Sequence, residues 1–412
     1  MHTLLSLLLC CQILLSSCLP AIFSSTAYNF VPFTETVTPL KAESGESAVD
    51  EAVSASITAP SAILMEASTG TIIYEKNPHE IRHPASITKI MTLNLIFDAL
   101  EQKKFNLNDT VTVSEHAASM GGSQVFLEAG ETQDVETMIK CISIASANDA
   151  SVAMAEFVAG SEEAFVAAMN EKAASLGMKD THFVNCCGLD VDDHMTSAYD
   201  VALMSRELTV KHPQIHDYCT IWMDSFTHNT AKGSKEFGLT NTNKLIRQYE
   251  YATGLKTGST GLAKFCLSAT AVKDGMELIA VIMGAENPTN RFSDASTLLN
   301  YGFSKCRIFT DESLEGNTTV PIKRGVEDFI SLSPANQFQY LSVKGEDFSA
   351  ITKDLSLPES IEAPVKKGDK IGEIIYSLGG EKIGSVDIIA KQDIDKADFS
   401  HYVLDVFWAF FS

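Results

Sequence analysis

The alternation of apolar and polar residues predicts an α+β domain over residues 56–306. Two β-rich runs, 62–67 and 71–75, flank a Ser-Thr-Gly turn and predict a hairpin. Later β-rich runs are 254–257, 265–270 and 277–283, and stretches with helical spacing are 131–177, 196–210 and 290–304. Strands before and after a helical block, with a final helix, indicate an antiparallel sheet with helices on it plus a helical subdomain.

After Cys306 the pattern changes to short β-rich runs separated by glycine and proline. Two of these runs, 365–376 and 383–389, are joined by a Gly379-Gly380 turn and predict a hairpin. This change predicts a second, small all-β domain at 312–392.

The last segment, 398–412, predicts an amphipathic helix. Its apolar face carries Phe399, Tyr402, Val403, Val406, Phe407 and Phe410. A short, aromatic-rich amphipathic helix suits the interface of a membrane surface. The alternative is a helix packed on the β domain. Acidic residues in and before the segment weaken the membrane interpretation, because anionic lipids favour Lys and Arg.

The beginning of the chain predicts export. Residues 1–27 contain an apolar run, no charged residue and a small-residue site at Ser25-Thr26-Ala27, as in a cleaved signal peptide. Lipidation of Cys18 is the alternative. Residues 28–55 are rich in Thr, Ser, Ala and Glu, and they predict a flexible linker.

Composition excludes several classes of function. The 412 residues carry a formal net charge of -22, which argues against a nucleic-acid partner because phosphate binding needs clustered Lys and Arg. The sequence contains no Walker loop, no Gly-x-Gly-x-x-Gly after a strand, no His-Glu-x-x-His and no Cys-x-x-Cys. We therefore expect no metal and no nucleotide cofactor.

Six of the nine cysteines lie beyond the predicted signal peptide: Cys141, Cys186, Cys187, Cys219, Cys266 and Cys306. Export permits disulfides, but six cysteines allow fifteen complete pairings and the sequence does not choose among them. Cys141 and Cys266 lie in apolar runs and are interpreted as small buried hydrophobic residues. The adjacent Cys186 and Cys187 are unusual, since neighbouring cysteines rarely pair with each other.

Candidate chemistry begins at Ser86 and Lys89, where a loop with Pro84 leads into an apolar helix. Residues i and i+3 share a helix face, so the hydroxyl and the amine point into the same space. A serine becomes a good nucleophile when a base takes its proton, and a lysine of lowered pKa can be that base. For an isolated Ser-x-x-Lys, the plain alternative is a helix cap with a surface lysine.

Two further motifs follow along the chain. Ser146-Ala147-Asn148 comes after an apolar helix, where a turn exposes a hydroxyl and an amide, although such a triplet also occurs as a helix cap. Lys256-Thr257-Gly258 ends a predicted strand, where the bare glycine lets another backbone approach, although alone it suits an ordinary turn. The three motifs together, in this order and context, are far more specific than each one singly.

With these motifs the sequence resembles the penicillin-binding serine acyl transferases, and within them the low-molecular-mass D-alanyl-D-alanine carboxypeptidases of peptidase S11 type. The resemblance covers nearly all of the predicted mature chain, including 121–127, 148–150, 188–190 and Arg291-Phe292. It implies a β-lactamase/transpeptidase-like domain followed by the β domain. It also implies a bacterial protein at the extracytoplasmic face of the membrane or in the cell wall, with peptidoglycan pentapeptide as substrate and β-lactam antibiotics as acylating ligands.

The resemblance implies catalytic roles for Ser86, Lys89 and Ser146, which Lys256 and Ser259 assist from the substrate-binding set. Ser86 attacks the carbonyl between two D-alanines, and Lys89 takes its proton. Ser146, with Lys256 near it, passes a proton to the leaving D-alanine. The N–H groups of Ser86 and Ser259 form the oxyanion hole.

The same resemblance implies a substrate-binding set of six residues: Asn148, Lys256, Thr257, Gly258, Ser259 and Arg291. Asn148 is expected to hold a substrate amide, and the substrate lies beside the strand that contains Gly258. Thr257 and Arg291 are expected to bind the terminal carboxylate, for which an Arg–carboxylate pair is well suited.

Three other classes share the motifs. A serine β-lactamase needs a carboxylate that drives fast deacylation, and no Glu-x-x-Leu-Asn precedes Gly188-Leu189-Asp190. A penicillin-binding transpeptidase is usually longer and has an N-terminal spanning helix. A non-catalytic binding protein usually lacks one motif residue, whereas all of them are present here.

Overall fold

The computed structural model describes residues 48–230, 233–311, 318–343 and 345–399. The helices are α1 Ala48–Ser56, α2 Lys89–Glu101, α3 Glu115–Ala118, α4 Val135–Ser143, α5 Asn148–Ala159, α6 Glu162–Ser175, α7 Ala198–Lys211, α8 Ile215–Cys219, α9 Leu245–Gln248 and α10 Pro288–Lys305. The strands before Cys306 are β1 Ser61–Glu66, β2 Ile72–Lys76, β3 Thr110–Thr112, β4 Thr132–Asp134, β5 Met223–Thr230, β6 Gly233–Thr240, β7 Ala252–Thr260, β8 Lys264–Lys273 and β9 Met276–Ala285.

A five-stranded antiparallel sheet, in the order β2-β1-β9-β8-β7, forms the centre of the first domain. Alternate residues of a strand face opposite sides. Ile279 and Val281 of β9 therefore pack in the core that contains α2, α5 and α7, whereas Leu278 and Ala280 pack with α10. Both faces are covered, which explains why β9 is an almost unbroken apolar run. β7 is the edge strand of this sheet among the described residues.

The first domain begins before the predicted boundary. Residues 48–55, the described part of the predicted flexible linker, lie in α1, which packs on α10. Just after α1, the Asp294 carboxylate on α10 accepts the N–H groups of Thr58 (3.0 Å) and Ala59 (2.8 Å). These bonds fix the entry of the chain into β1, so this end of the linker is ordered by tertiary contacts that its composition does not reveal.

The sequence predicted that Ser86 lies in the first turn of an α-helix, and this prediction is wrong. A 3₁₀ turn, Ala85–Thr88, comes first, and α2 begins at Lys89. Ala85, the first residue of this turn, has a positive φ of 49°. Because side chains at i and i+3 are eclipsed in a 3₁₀ turn, this geometry brings Ser86 and Lys89 closer than an α-helix would.

The second domain is all-β, as predicted, and its first strand begins at Arg307. Its strands are β10 Arg307–Thr310, β11 Thr319–Lys323, β12 Phe329–Pro334, β13 Gln339–Ser342, β14 Ile351–Ser356, β15 Ile361–Glu362, β16 Lys370–Leu378 and β17 Glu381–Ala390. Six of them form a sheet in the order β14-β16-β17-β12-β11-β15. The buried ring of Tyr376 stacks on Phe338 at a centroid distance of 3.7 Å.

The predicted signal peptide, 1–27, and residues 400–412 of the predicted C-terminal helix lie outside the described residues. Within the described ranges, none of the helices combines the length and the apolar character needed to cross a bilayer.

Candidate active site

Lys89 is the centre of a buried hydrogen-bonded array. Its side chain is fully buried, and its Nζ lies 3.1 Å from Ser86 Oγ, 2.6 Å from Asn148 Oδ1 and 2.6 Å from the Cys187 carbonyl oxygen. Burial lowers the pKa of Lys89 from 10.5. A neutral amine has two N–H bonds and one lone pair. In the neutral form, with its N–H bonds directed to Asn148 and Cys187, the amine would have its lone pair left for the Ser86 hydroxyl.

The loop at Cys186-Cys187 supports this array with main-chain atoms. The Cys187 carbonyl accepts from Lys89, and the Cys186 carbonyl accepts from Thr92 Oγ1 at 2.5 Å. Gly188 follows with φ +88°, and a Cβ built on it would lie 1.8 Å from the Ala85 carbonyl oxygen. Only glycine therefore lets this loop lie against the Ser86 turn. Both thiols are free and buried, as are the other four cysteines beyond the predicted signal peptide.

The pKa of the Cys187 thiol is also changed by its neighbours. A hydrogen bond with the Cys186 thiol and the nearby Lys89 side chain lower the pKa of Cys187, although burial opposes the shift. The Cys186 thiol shows the opposite effect, because its hydrogen bond with Cys187 and its burial raise its pKa.

A second lysine serves the second predicted motif. Lys256 Nζ donates to Ser146 Oγ at 2.8 Å and to the Thr257 carbonyl at 3.0 Å, and it is almost fully buried. Burial and the charge of Lys89 lower the pKa of Lys256 well below 10.5. Ser146 has a positive φ of 60° and lies in the turn between α4 and α5.

Asn148 joins the first array to the wall of the site. Its Oδ1 accepts from Lys89, and its Nδ2 donates to the Gly121 carbonyl at 2.7 Å. Its backbone N–H donates to the Ser123 carbonyl, also at 2.7 Å. Residues 121–127 are therefore held beside the predicted nucleophile.

The third predicted motif lies on edge strand β7, against the Ser86 turn. A Cβ on Gly258 would lie 3.0 Å from the Pro84 carbonyl oxygen and from the Ile87 nitrogen, so the missing side chain permits this close approach. The Thr257 hydroxyl lies 2.7 Å from the Thr242 hydroxyl. Ser259 is exposed at the end of the motif.

Arg291 contacts the third motif through main-chain atoms. It is buried on α10, and its Nη1 donates to the carbonyls of Gly258 (3.1 Å) and Cys266 (3.3 Å). Its guanidinium also lies over the rings of Phe265 and Phe292. In this arrangement Arg291 braces β7 and β8, and its predicted role in carboxylate binding stays a prediction.

Five predicted residues thus form two linked clusters, Ser86–Lys89–Asn148 and Ser146–Lys256, with Thr257, Gly258 and Ser259 on the adjoining strand. Sequence reasoning did not assign the Cys187 carbonyl, the Gly188 contact or Thr242. The glycine in Gly188-Leu189-Asp190 was the one signal available, because an unusual φ or a close approach requires that residue type. A carbonyl group leaves no such signal.

Comparisons with known proteins identify the family of this chain. Residues 47–287 match the family model described as D-alanyl-D-alanine carboxypeptidase, and residues 305–396 match that of the penicillin-binding protein 5 C-terminal domain. The chain belongs to the D-alanyl-D-alanine carboxypeptidase family, serine hydrolases of the low-molecular-mass penicillin-binding class. The predicted resemblance, fold class and carboxypeptidase activity are confirmed.

Relatives and solved structures cover most of the chain. D-alanyl-D-alanine carboxypeptidase DacF of Bacillus subtilis is 44% identical over 344 residues, which is 83% of this chain and 87% of that protein. DacA of Escherichia coli K12 is 33% identical over 85% of this chain and 87% of its own length. The crystal structure of penicillin binding protein 5 from Haemophilus influenzae has a TM-score of 0.67 and 29% identity, covering 82% of this chain and 98% of that one.

Proposed function

We propose that Ser86 and Lys89 carry out the acylation step of D-alanine removal from peptidoglycan pentapeptide. The observation that supports this proposal is the three-way contact of buried Lys89 Nζ with Ser86, Asn148 and Cys187. Neutral Lys89 takes the hydroxyl proton while Ser86 Oγ bonds to the carbonyl carbon between the two D-alanines. The carbonyl oxygen becomes an oxyanion, which the backbone N–H groups of Ser86 and Ser259 stabilise.

The leaving group requires a proton. Lys256 donates a hydrogen bond to Ser146 Oγ, so the Ser146 hydroxyl can pass its proton to the departing D-alanine nitrogen. The proton that Lys89 took from Ser86 then reprotonates Ser146 by way of Lys256, which leaves Lys89 neutral for the next step. The C–N bond breaks and Ser86 remains acylated. Water then attacks the ester carbonyl, its proton returns through Lys89, and Ser86 is released.

The substrate lies along β7 as an additional strand, because none of the described strands pairs with this edge of the sheet. Its terminal carboxylate binds at Thr257, the hydroxyl of which is oriented by Thr242. Arg291 contributes positive charge and holds the β7 main chain from behind. Asn148 holds an amide of the substrate on the acyl side. A β-lactam takes the same position and acylates Ser86.

The time course of intact mass after mixing the protein with benzylpenicillin tests this assignment, together with D-alanine release from pentapeptide. We expect a single long-lived adduct that maps to Ser86, and D-alanine release that the drug blocks. A short-lived adduct with turnover of the drug would instead identify a β-lactamase. The absence of both an adduct and D-alanine release would contradict the proposal.

We also propose that the protein is exported through its signal peptide, 1–27, and is held at the extracytoplasmic membrane surface by segment 398–412. The aromatic, amphipathic composition of this segment supports an interfacial position. Deletion of 398–412 is expected to move the protein from the floating fraction to the soluble fraction in lipid-vesicle flotation. Retention on vesicles would favour a lipidated Cys18 or a helix packed on the β domain.

A further inference from the structure

Phe126 departs from the ordinary preferences of its residue type in two ways. Its side chain is 64% exposed, and its backbone has a positive φ of 63°. A left-handed backbone is rare for a bulky residue, and such strain persists where surrounding contacts enforce it. An exposed aromatic ring held in this conformation is a candidate for ligand contact.

The surrounding contacts fix this conformation from both sides. Val125 and Leu127 are buried, and their N–H groups donate to the Asp149 carboxylate at 3.2 and 3.1 Å. Asp149 is itself 1% exposed. Because both neighbours of Phe126 point inward onto one buried carboxylate, the ring between them must point outward.

The same carboxylate sets the position of Phe126 relative to the active site. Asp149 directly follows Asn148, whose backbone and side chain bind Ser123 and Gly121 of the same loop. The first two residues of α5 therefore have linked roles. Asn148 lies in the site, and Asp149 holds Phe126 beside it.

A second aromatic ring completes the rim. Phe237 on β6 meets Phe126 edge to face, with a centroid distance of 6.0 Å. Its cross-strand partner Phe226 supports it at 5.8 Å. Beyond the end of β6, Thr242 contacts Thr257 in the site. Phe126 and Phe237, the aromatic rim, thus belong to two elements that each reach the site.

We infer that the aromatic rim binds the side chain of the residue that precedes the D-alanyl-D-alanine pair. This inference rests on the proposed function. With the terminal carboxylate at Thr257 and the acyl-side amide at Asn148, the peptide runs from Thr257 towards the rim. The exposed ring suits a long aliphatic side chain at that position, whose methylene groups would lose water when they cover it.

Phe126→Gly separates a binding role from a structural one. Glycine adopts φ of 63° without strain, so removal of the ring relieves the backbone instead of destabilising it. The substrates are diacetyl-L-lysyl-D-alanyl-D-alanine, which has the aliphatic chain, and acetylglycyl-D-alanyl-D-alanine, which lacks it. We expect kcat/KM to fall about tenfold for the lysyl peptide and less than about twofold for the glycyl peptide, with an unchanged or higher Tm.

The matched control is Phe329→Ala, which removes an exposed ring from the β domain and should change neither value. Acylation by 6-aminopenicillanic acid, which lacks an acyl side chain, should stay within about twofold in Phe126→Gly. The inference would be overturned if kcat/KM fell equally for both peptides, or if the preference for the lysyl peptide were unchanged. A lowered Tm would also overturn it. If the wild-type protein neither releases D-alanine nor is acylated, the proposed function fails instead.

Discussion

Ser86→Ala is expected to abolish covalent labelling by penicillin and to lower D-alanine release by about 10⁴-fold or more. The acyl-enzyme forms only through a bond to Ser86 Oγ, and the alanine methyl group cannot make that bond. Residual turnover would come from the oxyanion donors and substrate binding alone. Intact mass after incubation with benzylpenicillin and a coupled assay for released D-alanine measure the two effects.

The folded state should tolerate this change. Ser86 Oγ makes one hydrogen bond with Lys89, at 3.1 Å, and Lys89 keeps its contacts with Asn148 and Cys187. The matched control is Ser119→Ala, which removes an exposed hydroxyl bonded to the His116 carbonyl. Labelling should be normal in this control. A penicillin adduct that persists in Ser86→Ala with an unchanged Tm would show that the nucleophile lies elsewhere.

Local pattern was sufficient to predict much of the fold and part of the site. The strands at 254–257, 265–270 and 277–283 are continuous in β7, β8 and β9, because residue type and period both favour strands there. The proximity of Ser86 and Lys89 follows from a separation of three residues within one turn. Each of these predictions depends on residues near one another in the chain.

The rest of the site depends on contacts between distant segments. Cys187 acts on Lys89 through its carbonyl, which every residue possesses, so its identity carries no information about this role. Asp149 accepts from N–H groups that lie 22 and 24 residues before it in the chain. Thr242 contacts a hydroxyl 15 residues after it. Residue periodicity does not predict contacts of this kind. For Arg291 the residue type suggested a role, but the sequence did not predict its contacts. Its type suited a carboxylate, but only the packing of α10 places its Nη1 on the Gly258 and Cys266 carbonyls.

Lys89→Met is expected to lower the rate of acylation by about 10³-fold while Ser86 remains in place. Methionine matches the length of the lysine stem but supplies no lone pair for the hydroxyl proton. Lys89→Arg should lose a similar factor, because a guanidinium stays protonated and cannot act as a base. The matched control is Lys172→Met, since Lys172 is largely buried and bonds to Glu207 and Asp98 outside the site.

The pH dependence distinguishes a base from a merely positioning lysine. Because burial lowers the pKa of Lys89 below 10.5, its neutral form should be reached at lower pH than for an exposed lysine. The wild-type acylation rate should rise with pH through that lowered pKa and be lost as pH falls through it. This rise should be absent from both Lys89 variants. If either variant retains it, then Lys256, whose pKa is also lowered, is the titrating base.

The lowered pKa of Lys89 also makes the free energy of unfolding depend on pH. Between the lowered pKa and 10.5 the unfolded chain binds a proton at Lys89 that the folded chain does not, so the free energy of unfolding rises with pH across this window. Lys89→Met removes this contribution, and its unfolding free energy should depend less steeply on pH there. Denaturant titrations of both proteins at several pH values measure the difference. Equal slopes would mean that Lys89 keeps its proton when folded, which would contradict its assignment as the resting-state base.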